Sequence, residues 1–280
     1  MRAEKICGMN MNFQYFSFDY FLESMDSLNM KYLELWAGAP HLYVEDMSEE
    51  DVLEVKKKID ARGMKTVFYT PEGLFYPYNL ASDNDKMRQR TLDFYKKNMY
   101  AAAELGAENM LLIAGRGYYD QPVEMAWKRS AEALKELAQE AKKVGIGLVL
   151  EPLQYEEANL VWNLETTKKM LDEVGEDTLG TMIDTVQMVS SNNSIDQYFN
   201  TFGKNLRHVH LTDGNPTGHL TWGDGNLPLK DFLKDLNRNA YDGYLTLEIG
   251  PYLTDPVTSW KQGVETVKKV LKELEQDDDR

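Results

Sequence analysis

Leu148-Val149-Leu150-Glu151-Pro152 decides how this chain is read. It follows a helix-length amphipathic segment and the turn Gly145-Ile146-Gly147, so it reads as a buried strand, yet it ends in a carboxylate. Desolvating an unpaired glutamate costs several kcal/mol, so such a residue must be paired, protonated, solvated at a mouth, or bound to a cation. The same grammar recurs three times further on, in Gly180-Thr181-Met182-Ile183-Asp184, Leu206-Arg207-His208-Val209-His210 and Tyr244-Leu245-Thr246-Leu247-Glu248. Four successive strands ending in metal-ligand residue types point to one shared site.

Working outward, eight short apolar runs alternate with helix-like segments. The strand candidates are Ile6 to Met9, Tyr32 to Trp36, Lys65 to Tyr69, Asn109 to Ile113, Gly147 to Glu151, Leu179 to Asp184, Leu206 to Leu211 and Gly243 to Glu248. Helical periodicity follows Ser48, running to Gly63, and continues from Asp85 to Gly106 and from Pro122 to about Gly145. Shorter helices are expected over Thr166 to Val174, Ile195 to Phe202, Pro228 to Asn239 and Pro256 to Leu274, with Asp277 to Arg280 as a frayed tail. This alternation predicts an α/β fold, a (β/α)8 TIM barrel forming a single domain over residues 1–280. A doubly wound open sheet is the runner-up, but no Gly-rich dinucleotide fingerprint follows the first strand.

Composition bounds the function. The 280 residues are 42% hydrophobic and 28% charged, with a net charge of -15. That balance argues against gripping nucleic acid or an anionic membrane surface, since phosphate affinity comes from clustered Lys and Arg. The single cysteine, Cys7, excludes an intrachain disulfide and a cysteine-rich zinc site. No signal-peptide pattern or 18-residue apolar run stands out, so a cytoplasmic protein is expected.

Side chains alternate along a strand, so Val149 and Glu151 share a face, as do Met182 and Asp184, His208 and His210, and Thr246 and Glu248. In a barrel whose chemistry sits at the C-terminal ends of its strands, Glu151, Asp184, His210 and Glu248 converge, with His208 one layer deeper as core filler or support. Three carboxylates and one imidazole suit a hard divalent ion. Mn²⁺ is expected, with Mg²⁺ or Co²⁺ compatible, rather than structural Zn²⁺. Such an ion polarises a carbonyl and a neighbouring hydroxyl of a sugar and acidifies the hydrogen on the carbon between them. Glu151 and Glu248, across the mouth from each other, then form a pair in which one carboxylate removes a proton and the other returns it on the opposite face, which is epimerisation through an enediolate.

The pattern Glu151-Pro152-Leu153, Asp184, His210 with Asp213, Gly223-Asp224-Gly225 and Glu248 resembles the sugar phosphate isomerase/epimerase superfamily, the xylose isomerase-like barrels. Within it, Tyr69-Thr70-Pro71-Glu72, Tyr76-Pro77-Tyr78-Asn79, Glu34-Leu35-Trp36-Ala37-Gly38 and Pro40-His41 resemble the fructoselysine 3-epimerases. The resemblance implies that Glu151, Asp184, His210 and Glu248 are metal ligands, that Glu151 and Glu248 are also the catalytic acid/base pair, and that Glu157 orients substrate. It also implies that relatives are dimers or tetramers, so a homo-oligomer is expected. Where simple ketose 3-epimerases carry a histidine three residues after the metal aspartate, this chain has Gln187; where they carry an arginine before the Gly-x-Gly turn, it has His219. Both positions are expected to contact sugar oxygens, and the second departure tilts the reading toward a sugar-amine of the fructoselysine type.

Trp36, Tyr69, Tyr76, Tyr78 and Tyr118 are expected to wall the pocket and stack on a sugar ring or an aliphatic chain. Glu34, Glu72 and Glu156 are candidates to receive a substrate ammonium. Arg116, between Gly115 and Gly117, is a candidate for a carboxylate or phosphate. Thr212-Asp213-Gly214-Asn215 carries no Lys or Arg, which favours free sugar derivatives over phosphorylated ones. The competing chemistries on such a barrel are an aldose-ketose isomerase, a keto-polyol dehydratase and a C-glycoside-cleaving enzyme. A non-catalytic sugar-binding relative fits poorly with two opposed glutamates. An abasic-site endonuclease fits poorly with four histidines and a charge of -15.

Overall fold

The computed structural model describes residues 3–74 and 77–278. Eight parallel strands close in sequence order into a barrel: β1 (Ile6–Met9), β2 (Tyr32–Ala37), β3 (Lys65–Pro71), β4 (Asn109–Leu112), β5 (Gly147–Leu150), β6 (Leu179–Asp184), β7 (Leu206–His210) and β8 (Leu245–Thr246). Closure comes from β1 pairing with both β2 and β8. Around it lie α1 (Phe18–Ser27), α2 (Glu49–Asp60), α3 (Asp85–Leu105), α4 (Glu124–Val144), α5 (Leu164–Val174), α6 (Thr185–Ser190), α7 (Ile195–Phe202), α8 (Leu229–Arg238) and α9 (Pro256–Asp278). None of the described helices is long and apolar enough to cross a membrane.

The strand positions expected from the apolar runs hold, and their ends shift by a few residues. β5 stops at Leu150 and β8 at Thr246, so Glu151 and Glu248 sit just past the ladder, where a side chain can lean over the mouth. Helices α1 and α6 were not foreseen. The first starts at Ser17, whose hydroxyl accepts from Tyr20 N. The second is six residues long and too short to carry a periodic signal. The last helix continues to Asp278, so Asp277 and Asp278 belong to it rather than to a frayed tail, while Asp279 and Arg280 lie outside the described residues. Local chemistry punctuates the rest. Capping boxes at Ser48/Asp51, Asn163/Thr166 and Ser194/Gln197 start α2, α5 and α7. Gly106 and Gly145, at φ of 87° and 83°, stop α3 and α4 in the left-handed region.

Alternation along the strands sorts two cores. Met110, Leu112, Leu148, Leu150, Ile183 and Val209 face the helix layer. Leu111, Ile113, Val149 and Met182 fill the barrel with Cys7, Val67 and Phe68. Neighbours Val67 and Phe68 both reach the interior because the β2–β3 register slips at Leu33/Glu34, where a bulge breaks strict alternation. The β6–β7 register places Asp184 beside His210, and the β7–β8 register places His210 beside Thr246. Those pairings align the strand ends that form the site.

Candidate active site at the barrel mouth

Each of the four strand-end residues arrives by a local device. Asp184 ends β6 and caps α6: its Oδ1 accepts from Val186 N at 2.7 Å and Gln187 N at 2.9 Å. Its buried Oδ2 has no hydrogen-bond partner among the described residues. His210 ends β7, with Nδ1 3.0 Å from Glu248 Oε2, 3.4 Å from Glu151 Oε1 and 4.0 Å from Asp184 Oδ2. One donor atom from each of Glu151, Asp184, His210 and Glu248 lies within 4.8 Å of all the others, and all four residues are buried. Such a set in the absence of a cation is electrostatically awkward. Burial, with Glu248 and Asp184 adding to it against the pull of His210, raises the Glu151 carboxyl to about 7. Burial acts to raise Glu248 too, but the imidazoles of His210 and His219 outweigh it and hold Glu248 well below the usual carboxylate range. An orphaned acceptor, three converging carboxylates and one imidazole nitrogen fit a hard divalent cation.

A second polar cluster supports the first from inside the barrel. Glu34, with no exposed surface, accepts at Oε1 from His210 Nε2 (2.9 Å) and at Oε2 from His208 Nε2 (2.8 Å), and Thr70 Oγ1 also donates to it. Burial alone would raise its carboxyl, but the two imidazoles reverse that and push it far below the ordinary range. With a cation in the quartet, the Glu34 bond would keep the proton of His210 on Nε2 and leave the Nδ1 lone pair for the ion, which is how a carboxylate behind a ligating histidine fixes its tautomer. His208 stacks on Phe68 with ring centres 3.9 Å apart and meets Thr246 Oγ1 at 3.1 Å. Expected as filler or support, His208 is wired into the network through Glu34. Glu34 itself was expected to meet a substrate ammonium. It cannot, because it is sealed between two histidines. The sequence held a signal for this, since an acid in the middle of an apolar strand on the inward face needs a buried partner.

A cavity of about 290 Å³ opens above the quartet, lined by Trp36, Glu72, Leu74, Leu153, Glu157, Gln187 and His219 together with Glu151 and Glu248. Gln187 Nε2 donates to Glu157 Oε2 at 3.3 Å, and its buried Oε1 has no hydrogen-bond partner among the described residues. His219 Nε2 stands 3.2 Å from Glu248 Oε2 and 3.6 Å from Asp184 Oδ2. The loop that carries His219 is tied down by Asp213, which accepts from the backbone N–H of Gly214, Gly223, Gly225 and Leu227 at 2.9 to 3.1 Å. Trp36 donates Nε1–H to Glu72 Oε2 at 3.0 Å, which fixes the indole in the wall and occupies one oxygen of Glu72.

Other expected wall residues do not reach this cavity. Tyr69 is buried on the outer face of β3 and donates to Asn98 Oδ1 of α3 at 3.0 Å, since its strand neighbours Phe68 and Thr70 take the inward positions. Tyr78 stacks on Phe94 at 3.9 Å and its hydroxyl meets that of Tyr43 at 2.6 Å. Tyr78, Tyr118 and Arg116 instead line a second cavity beside the first. Glu156 is exposed outside both. Tyr76 lies outside the described residues.

Comparison with known proteins places these features in a family context. The chain matches the model of the xylose isomerase-like TIM barrel family over residues 22–270. It is 32% identical over 246 residues to the fructoselysine 3-epimerase of Escherichia coli O157:H7, spanning 87% of this chain and 90% of that protein. It is 25% identical over 240 residues to the D-psicose 3-epimerase of Ruminiclostridium cellulolyticum, spanning 82% and 78%. The structure of D-psicose 3-epimerase with D-tagatose from Clostridium cellulolyticum H10 superposes with a TM-score of 0.79 at 18% identity, over 95% of this chain and 99% of that one, a likeness of fold.

Proposed function

The chain belongs to the family of xylose isomerase-like TIM barrels and is an enzyme of the epimerase kind; from that premise we propose that it inverts C3 of a ketose or ketosamine of the fructoselysine type. The observation that carries this reading is the pair Glu151 and Glu248, two carboxylates that belong to one donor set with Asp184 and His210 and that both line the cavity at the barrel mouth. Two carboxylates facing one reacting carbon can serve by turns as base and acid. The same reading takes residues 1–280 as one catalytic domain.

In this proposal Glu151, Asp184, His210 and Glu248 hold a divalent ion, Mn²⁺ first, with Mg²⁺ or Co²⁺ as alternatives. When bound, the ion polarises the C2 carbonyl and a neighbouring hydroxyl and so acidifies C3–H. Glu248 takes the C3 proton from one face, leaving an enediolate. Glu151 delivers a proton to the other face, and in the reverse direction the two exchange tasks. Glu157, Gln187 and His219 orient the sugar oxygens. The unpartnered Gln187 Oε1 offers an acceptor for a hydroxyl, and His219, beside Glu248, offers a donor. Trp36, locked by Glu72, presents an apolar wall to the ring. The relative that acts on fructoselysine, by its name, supports the ketosamine as the first substrate to try.

Incubation of the protein with fructoselysine and Mn²⁺, followed by NMR of the product, tests this. The expected product is the C3 epimer, and a chelator abolishes its formation. A product isomerised between C1 and C2, or dehydrated, would move the chemistry to another reaction on the same barrel.

A further inference from the structure

We propose that the cavity next to the catalytic pocket, walled by Arg116 and Arg129, binds an oxyanion, a carboxylate or a phosphate, carried on the part of the substrate that extends away from the acid/base pair. This rests on reading the quartet as the reacting centre and adds to it a determinant of substrate class. The cavity is about 360 Å³ and is lined by Asn79, Ser82, Asp83, Asn84, Arg116 and Arg129 among others. In a chain of net charge -15, a cavity that gathers two arginines and one acid is a local reversal.

Both arginines are placed by the backbone around them. Arg129 donates Nε–H to the Ala81 carbonyl at 2.8 Å, and its two terminal nitrogens have no partner among the described residues. A guanidinium anchored at Nε offers its remaining fork to one planar or tetrahedral oxyanion in bidentate fashion. Arg116 sits on a loop gripped by Asn79, whose Oδ1 accepts from Arg116 N at 3.1 Å and whose Nδ2 donates to Arg116 O at 2.9 Å. That grip needs glycine at position 115, where φ is 78° and a Cβ would fall 2.3 Å from Asn79 Oδ1. Asp83, the one acid among the described residues of this lining, lies 3.5 Å from the Tyr118 hydroxyl. An aspartate beside two arginines matches an ammonium beside a carboxylate, the two charges of an amino-acid end.

The two cavities share a wall. Leu74 lines the catalytic pocket, and its carbonyl accepts from Arg116 Nη1 at 2.8 Å. Ile113 also lines the catalytic pocket, and Arg116 follows three residues later, a span of at most about 10 Å. An extended lysyl tether from its side-chain nitrogen to its carboxylate covers roughly 8 Å by the same covalent dimensions.

Two matched pairs of compounds test the proposal and identify the source of the anion. The first pair is fructoselysine and its decarboxylated counterpart, fructose linked to 1,5-diaminopentane. The second is fructose 6-phosphate and fructose. In the Mn²⁺-loaded wild type, the anionic member of one pair should be favoured about tenfold or more in kcat/KM, expressed in KM. In Arg129→Gln that ratio should collapse to within about twofold, and Arg129→Lys should retain part of it, because charge without the fork holds an oxyanion less well. Preference within the first pair assigns the site to an amino-acid carboxylate, and preference within the second assigns it to a sugar phosphate. Ratios taken within each variant cancel any general loss of fold. No preference in either pair, or a preference unchanged in Arg129→Gln, would overturn the anion site. Calorimetric titration of the same four compounds reads the site without turnover. Discrimination in binding with no turnover of any compound would keep the anion site and sink the epimerase reading, whereas no discrimination in binding, with turnover intact, would do the reverse.

Discussion

Glu34 with His208 and His210 forms one polar cluster inside the barrel, and Glu151, Asp184 and Glu248 gather on the other side of the same His210 ring. The inner cluster is closed: both Glu34 oxygens are bonded, at 2.8 and 2.9 Å, to imidazole nitrogens, and Thr70 completes the shell. The outer cluster is open, with Asp184 Oδ2 unpartnered and Glu151 held near neutrality. Burial opposes charge in both, but in the inner cluster two histidines answer it fully, while in the outer one His210 and His219 answer it at Glu248 and leave Glu151 facing carboxylates. A satisfied buried network is scaffold, and an unsatisfied one waits for something to bind. His210 belongs to both and transmits the order of one to the other.

The sharpest way to break this contrast is to neutralise the outer cluster alone. Glu248→Gln keeps the shape of the side chain but replaces the carboxylate with an amide and so removes the base, and epimerisation should fall by about 10²- to 10⁴-fold, the range for losing a general base. Circular dichroism should show the fold intact. Near-normal turnover in this variant would leave the two-glutamate pair without a role.

Opening the inner cluster should be felt in stability instead. Glu34→Ala strands two buried imidazoles, and removing one partner of a buried pair costs about 3–5 kcal/mol. Chemical denaturation of the metal-free variant reads that cost. Metal affinity should fall about 10- to 100-fold as well, because the His210 tautomer is no longer enforced. A variant as stable as wild type, binding metal equally well, would show that the inner cluster is not the support described.

Protons give a smaller and reversible probe. Glu151 has its carboxyl raised from 4.5 in a free chain to about 7, so its contribution to metal-free stability is present below 4.5 and is lost as pH rises through 7. His210, held above its ordinary value by Glu34 and Glu248 against the effect of burial, also gives up stability as pH rises. Glu248, held low, acts the other way only at acid pH, below the ordinary carboxylate range. Between pH 5 and 8 these two groups should therefore withdraw stability from the metal-free protein, on the order of 1–3 kcal/mol, against an opposing gain from His208, whose imidazole burial holds below its ordinary value. A divalent ion should restore it while releasing protons, measurable by calorimetry in two buffers of different ionisation enthalpy. A flat profile with no proton release would mean that the outer cluster is already balanced.

Much of this was legible from residue pattern alone. The barrel followed from eight apolar runs in alternation with helices, and the gathering of the quartet followed from strand parity at Asp184 and His210. The helix α6 was invisible because six residues carry no period, although it is what turns Asp184 Oδ2 toward the mouth. Tyr69 was misplaced because an aromatic residue near a strand end can serve either face. The bulge at Leu33/Glu34, which sets the pairing of β2 with β3, leaves no mark in the composition of the strands. Glu34 was seen but given the wrong partner. Its actual partners lie 174 and 176 residues away in sequence, and only closure of the barrel brings them together.

The central claim, that Glu151 and Glu248 move a proton at one carbon with the help of a divalent ion, is tested most directly by solvent deuterium exchange. Fructoselysine is incubated with the Mn²⁺-loaded protein in D₂O, and the hydrogens of the sugar are followed by proton NMR. The account predicts that the C3 signal disappears while C4 and C5 are retained, and that a chelator stops the exchange. Epimer formed with its original C3 hydrogen, or deuterium entering at C1 instead, would contradict it.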